Sequence, residues 1–238
     1  MVVLGTVILN ATGAGIVAKM LGVMLEKSNG ILMVGAHRAS RLIAKYLKDN
    51  GKHVVLIDSN HGNIDKANEL GLDAHVADIY KDELKNNADF NDIGVLMAMT
   101  GSAEVNDYSL TNLSRNFGEN GSYRLTSVNE LQNPETATTE SLFSKHDDFI
   151  NLLEVARDYP AIHEIPISSN EHLEELLEKI NTEEKAIPLF VKKTENNDFV
   201  VIKSMNNNIT ISEGDALSYM GKAIIEPTNE VETVTAQH

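Results

Sequence analysis

ILMVGAHRASRLIAKYLKDNGKHVVLID, residues 31–58, decides the fold. An unbroken apolar run over 31–34 ends at Gly35, as expected of a central parallel strand buried on both faces. Ala39, Leu42, Ile43, Tyr46 and Leu47 then recur at helical spacing, and Asn50 with Gly51 supplies a helix stop. A second apolar strand over 53–57 leads to Asp58. Strand, tight turn, helix, strand and acid is the layout of a unit that seats a dinucleotide diphosphate on a helix N-terminus. The acid holds the ribose.

The turn itself departs from that layout. The fingerprint asks for Gly-x-Gly-x-x-Gly, and here the six residues are Gly35, Ala36, His37, Arg38, Ala39 and Ser40. Only the first glycine is kept. His37 puts an imidazole where the second glycine lets the backbone approach the diphosphate. It either weakens that contact or, when protonated, meets an anion. Ser40 is small enough to stand in for the third glycine, which allows close packing of helix on strand. Arg38 is either a forked phosphate ligand or an exposed charge on the first helical turn. Asp58 either accepts two hydrogen bonds from a ribose diol or caps the turn before the next helix. Its charge would repel a 2′-phosphate, and Ser59, Asn60 and His61 offer no fixed positive charge. A dinucleotide bound here would be NAD or NADH rather than NADP.

Outward from this unit, the pattern predicts a short helix over 63–70 ending at Gly71, and a third strand over 74–77 stopped by Asp78. A fourth strand over 93–99 turns at Thr100, Gly101 and Ser102 into a helix reaching about Phe117. A fifth strand over 123–126 and a helix or loop over 130–142 follow. The alternation predicts an α/β fold over 30–155, a Rossmann-like parallel sheet with helices on both faces and right-handed crossovers.

Pro160, after Arg157, Asp158 and Tyr159, marks a boundary to a small α+β domain over 160–225. Its expected parts begin with a strand at 162–167. A helix follows, opened by a capping box of Ser168 and Glu171, with Leu173, Leu176, Leu177 and Ile180 at helical spacing. Strands at 186–192 and 199–202 flank a turn at 195–198. A further turn at 206–208 precedes short strands at 209–211 and 216–220 around Glu213, Gly214 and Asp215. The acidic run 171–184 reads as a solvated helix face. Residues 226–238 read as a disordered polar tail.

Residues 1–25, MVVLGTVILNATGAGIVAKMLGVML, carry one charge, Lys19. A helix of ~22 residues spans roughly 33 Å, about the hydrocarbon thickness of a bilayer. Gly5, Gly13, Gly15, Ala11, Ala14 and Ala18 suit close packing of helices in lipid. The reading is a transmembrane helix, with Lys19 and Lys27 putting the following domains on the cytoplasmic side. A signal peptide would need a basic start, which is absent. A buried soluble helix is the other reading, favoured by Thr6, Asn10 and Thr12.

Composition narrows the classes further. The 238 residues are 42% hydrophobic, enough for one larger and one smaller core. Net charge is −15, against a groove for nucleic-acid phosphates. Without cysteine there are no disulfides and no thiolate metal sites, which fits a reducing compartment. The eight histidines form no metal-ligand spacing, and Gly101 with Ser102 lacks a nucleophile elbow, so no catalytic set emerges.

Several stretches resemble one family. ILMVGAHRAS with Arg38, HVVLID with Asp58, AHVADI with Asp78, and VLMAMTGSAEVN with Thr100 and Asn106 make residues 30–125 similar to the TrkA-N, or RCK, domain, which regulates conductance or transport of potassium and other cations. GTVILNATGAGIVAKMLGV resembles the last transmembrane segment of monovalent cation/proton antiporters of the sodium/hydrogen exchanger type. TISEGDALSYMGK resembles the closing turn of the ligand-sensing subdomain that often follows TrkA-N domains. The resemblance implies that Gly35, Arg38 and Ser40 face the phosphates, with His37 as the altered position. Asp58 would take the ribose, Asp78 and Ile79 would border the base, and Thr100 would lie near the distal half of the ligand. It implies NAD, NADH or an adenine nucleotide as cofactor, a homodimer, and antiporter transmembrane helices as partner. The setting would be the cell membrane, contacted through residues 1–25, with the bulk of the chain cytoplasmic. Two rival classes remain. One is an NAD-dependent oxidoreductase, for which the C-terminal region looks too small and too acidic. The other is a dimerisation module that has lost its ligand.

Overall fold

In the computed structural model, residues 28–81, 84, 90–133, 138–144, 147–182, 185–204 and 207–224 are described. The apolar segment 1–25 and the tail 226–238 lie outside the described residues. Among those described, no helix is long and apolar enough to cross a membrane.

Strand β1 (Gly30–Val34) sends Ile31 and Met33 to one face and Leu32 and Val34 to the other, all buried. Strand β2 (Val54–Asp58) divides in the same way, with Val54 and Leu56 against Val55 and Ile57. This two-sided burial is why both runs read as continuously apolar. Helix α1 (Arg38–Asp49) buries Ala39, Ser40, Ile43, Ala44 and Leu47 on the first face. Helix α2 (His61–Glu69), capped by Asn60, covers the same face and delivers the chain to β3 (Asp73–Val76). Strand β4 (Ile93–Ala98), helix α3 (Ala103–Phe117) and strand β5 (Gly121–Arg124) complete the unit. Leu113 and Phe117 of α3 cover the second face. The strands are all parallel, in the order β3-β2-β1-β4-β5. The order reverses between β1 and β4, and open sheets of this kind place ligands at that switch point.

The expected helix or loop over 130–142 resolves into a short helix, α4 (Val128–Gln132), opened by a capping box of Ser127 and Glu130. A helix absent from the sequence-based expectation follows, α5 (Phe149–Asp158), capped by Asp148, whose Oδ1 accepts the Asn151 N–H at 2.8 Å. It packs beside α1, and the expected boundary near 155 falls inside it.

Strands β6 (Ile162–Pro166), β7 (Ala186–Lys192), β8 (Phe199–Val201) and β9 (Ala216–Gly221) form an antiparallel sheet in the order β6-β9-β7-β8. Ile165, Val191, Leu217 and Tyr219 pack against helix α6 (Asn170–Thr182). Ile187, Phe190, Val201 and Met220 face the other way, onto α1 and α5, and share one core with Met33 and Leu56 of the parallel sheet. The layers therefore run α3, parallel sheet, α1 with α5, antiparallel sheet, α6. Polar ties reinforce the junction. The Tyr46 hydroxyl donates to Glu164 Oε1 at 2.7 Å, Asn197 Nδ2 donates to the Asn50 carbonyl at 2.9 Å, and Lys52 pairs with Asp198 at 2.9 Å.

Two expectations need correcting. Residues 209–211 are not a strand. The Ile209 N–H donates to the Asn207 carbonyl at 2.9 Å, a tight turn that takes the segment out of the ladder while Ile209 stays buried. The cap of α6 is Ser169 rather than Ser168, because its Oγ accepts the His172 N–H at 3.1 Å while Ser168 Oγ meets His172 Nδ1. Ser169→Ala is expected to lower stability by about 1 kcal/mol. Ser168→Ala should cost less than half of that, both read from urea midpoints.

Candidate functional site

A cleft of about 460 Å³ opens above the C-terminal ends of β1, β2 and β4, and Gly35, His37, Asp58, Asp78, Ile79 and Thr100 all line it. The turn that makes it possible depends on Gly35. Its φ is +100°, and an added Cβ would come 3.1 Å from both the Met99 carbonyl and Thr100 Cγ2. The sign of φ and the close approach both call for glycine.

Asp58 stands across the cleft from Thr100 and does more than either sequence reading allowed. Its Oδ2 accepts the Ala36 N–H at 2.8 Å and Asn63 Nδ2 at 3.0 Å, and its Oδ1 accepts the Asn60 N–H at 2.9 Å. The carboxylate thus caps the turn and ties β1 to α2 while still lining the cleft. A carboxylate has about four acceptor sites, so one remains for a ligand hydroxyl where two were expected.

His37 turns inward. Its Nε2–H donates to the Met99 carbonyl at 2.6 Å, and Nδ1 accepts the Ser40 N–H at 3.4 Å as the cap of α1. Those two bonds fix the tautomer. The ring also packs edge-on against Phe149 of α5, with centroids 5.0 Å apart. Burial pushes the imidazole down to about 4, outweighing the Met99 carbonyl and the Asp58 charge. That shift favours the neutral ring at physiological pH. Neutral burial favours the fold fully above about pH 6.5 and is lost as pH falls through about 4. Melting temperature should decline over that interval, and His37→Asn should flatten the decline.

The other expected phosphate contacts do not reach the cleft lining. Arg38 is exposed, and Ser40 is fully buried beneath the turn, where it packs the helix close to the strand. Arg41, which sequence reasoning missed, donates to the Ala36 carbonyl and lies near Asp58. On the far wall Asp78 accepts from the Lys81 ammonium at 2.8 Å and the Tyr80 N–H at 3.0 Å, which hold its carboxyl below the usual range. The Tyr80 ring, half-exposed, leans on Tyr108 at 4.5 Å.

Thr100 is held by Asn106. The buried Asn106 amide accepts from the Thr100 N–H at 2.9 Å and hydroxyl at 2.8 Å, and donates to the Thr100 carbonyl at 3.0 Å. Ser102 caps α3 beside it. Gly101 has no room for a side chain, since a Cβ would lie 2.8 Å from the Phe149 ring. Phe149 is a wall residue that local pattern could not reveal, because α5 arrives from far along the chain. Among the described residues, no group of three or more His, Cys, Asp or Glu is placed to hold a metal ion.

Residues 31–140 match the TrkA-N domain family, slightly under half of the chain. No curated protein matches it. Among solved structures it resembles a TehB-like SAM-dependent methyltransferase from Corynebacterium glutamicum ATCC 13032 Kitasato. That likeness has 14% identity and a TM-score of 0.34, and covers 87% of this chain and 86% of the other. It also resembles the GsuK RCK domain, at 12% identity and a TM-score of 0.41, covering 83% of this chain and 45% of the other. Both likenesses are too distant to bear on activity.

Proposed function

We propose that this chain is the ligand-responsive regulatory part of a monovalent cation/proton antiporter, on the cytoplasmic side of the cell membrane. Its ligand carries a ribonucleoside: NAD, NADH or an adenine nucleotide. One observation carries the reading. A carboxylate, Asp58, is held by three internal hydrogen bonds in a cleft at the strand-order switch point of a parallel sheet. The match of residues 31–140 to the TrkA-N family supports the regulatory assignment. Phe149 supports a route for the signal, since it walls the cleft while α5 packs on the antiparallel sheet. A ligand that binds one placement of α5 better than another shifts the population of arrangements by that difference in affinity. The assembly would be a homodimer joined to transmembrane antiporter helices.

Titration calorimetry with NADH, NAD, ATP, ADP and AMP tests the ligand. Binding without turnover is expected, and Asp58→Asn should weaken it by about tenfold, a loss of ~1.4 kcal/mol. No binding at millimolar concentrations would favour the ligand-free dimerisation module. Reduction of a carbonyl substrate by NADH would favour the oxidoreductase. Cation/proton exchange in vesicles carrying the chain with its transmembrane partner should respond to the bound ligand and lose that response in Asp58→Asn.

A further inference from the structure

We propose that His37 is the specificity-determining residue of this cleft. Its imidazole fills the seat of a bridging diphosphate, so the cleft takes a single ribonucleoside, free or as its monophosphate, and rejects a dinucleotide. The proposal rests on the nucleoside reading above and narrows it.

Three observations converge. The first is position. His37 lines the cleft at the N-terminus of α1, where a dinucleotide unit receives its diphosphate on free backbone N–H groups. Here the Ser40 N–H is already taken by His37 Nδ1 at 3.4 Å. A phosphate oxygen arriving at that point meets an imidazole in place of a donor.

The second is immobility. To vacate the seat the ring must surrender its 2.6 Å bond to the Met99 carbonyl, its cap on α1 and its edge contact with Phe149. The carbonyl it would leave lies at the end of β4, beneath the turn, where a lost donor carries a desolvation cost. Gly35 packs against that same carbonyl, so the turn cannot slide to make space.

The third is charge. Among the described residues of the cleft lining, the charged ones are Asp58 and Asp78, with neither Lys nor Arg. Of the cations nearby, Lys81 pairs with Asp78 and Arg41 donates to the Ala36 carbonyl, while Arg38 is exposed on the first turn of α1 and lies outside the cleft lining. A bridging diphosphate would be held beside the Asp58 carboxylate, whereas a terminal monophosphate can turn toward solvent. Repulsion of that kind discriminates as effectively as a lost contact. A ribose hydroxyl needs only the acceptor site that Asp58 keeps open, and the half-exposed Tyr80 ring offers a face to a base.

The test compares the full chain with His37→Ser. Serine is a good helix cap and preserves the bond to the residue 40 N–H while removing the ring. Adenosine, AMP and NADH are titrated into both proteins by calorimetry, with NADH fluorescence as a second readout. The wild type is expected to bind adenosine or AMP about tenfold or more tighter than NADH. His37→Ser should move that ratio by about tenfold toward NADH and leave adenosine affinity within about twofold, tenfold being the step of 1.4 kcal/mol. The ratio separates selectivity from simple loosening of the turn, which would weaken every probe alike. Should His37→Ser melt early, His37→Asn provides the same cap with a smaller side chain. Equal or tighter binding of NADH by the wild type, or an unchanged ratio in the variants, overturns the role of His37 while the nucleoside reading survives. Failure of all three probes to bind either protein overturns the nucleoside reading and this inference with it.

Discussion

Glu130→Ala is expected to destabilise the fold by about 3–5 kcal/mol, because it strands a buried guanidinium. Glu130 and Arg124 are 5% and 9% exposed and meet in a forked pair, Oε1 to Nη2 at 2.7 Å and Oε2 to Nη1 at 2.8 Å. Glu130 also accepts the Ser127 N–H and hydroxyl, so one side chain closes the helix cap and the ion pair together. Arg124 ends β5 and reaches Asp107 on α3 at 2.9 Å. Removing the carboxylate leaves Arg124 with the neutral Leu125 carbonyl and the exposed Asp107. Replacing the pair jointly by Arg124→Met and Glu130→Leu should recover part of the loss, since the cost lies in the unpaired charge. Urea unfolding of the single and double variants measures both.

The same residue sets an acid limit. Burial pushes the Glu130 carboxyl up, but the Arg124 guanidinium and the two Ser127 donors outweigh it and bring it to about 2, from an ordinary 4.5. A depressed carboxylate stabilises fully above its unfolded value, and that contribution is lost as pH falls through the folded value. Acid weakening should therefore come in two stages. His37 acts between about 6.5 and 4, and Glu130 between about 4.5 and 2.

Phe190→Ala is the second large effect, about 3–5 kcal/mol for an aromatic core truncation. Phe190 is 1% exposed on β7, and its ring meets Phe199 of β8 edge-on at 5.9 Å. It belongs to the core that also holds Ile31, Leu47 and Leu152, so the cavity opens between the two sheets. A continuous core predicts that both sheets lose protection together. Hydrogen exchange at β2 and β9 amides should accelerate by similar factors in the variant. Acceleration confined to β9 would mean that the antiparallel sheet unfolds alone.

The parts that were legible in the sequence are those whose burial is decided by neighbours in the chain. In 31–34 and 54–57 every residue is apolar because both faces of the sheet are covered, and α1 shows its inward stripe for the same reason. Gly35 and Asp58 were legible because a positive φ and a turn-capping acid leave a local mark. Helix α5 was not. Its buried positions, Leu152, Val155 and Ala156, are few, and α5 lies beside α1 between the two sheets. Ser169 lost to Ser168 in the sequence because both are serine and only the backbone angle at the helix entry selects one.

The amino-acid order alone determined a parallel sheet with its cleft above Gly35 and Asp58, because strand period, turn glycine and acid act within about thirty residues of one another. Folding in three dimensions decided what the cleft can hold. It brought the Met99 carbonyl and the Phe149 ring onto His37; those two contacts hold the ring in place, and the burial that comes with them favours its neutral form. No local pattern encodes that outcome, since the groups that fix and cover the ring lie 62 and 112 residues away in the chain.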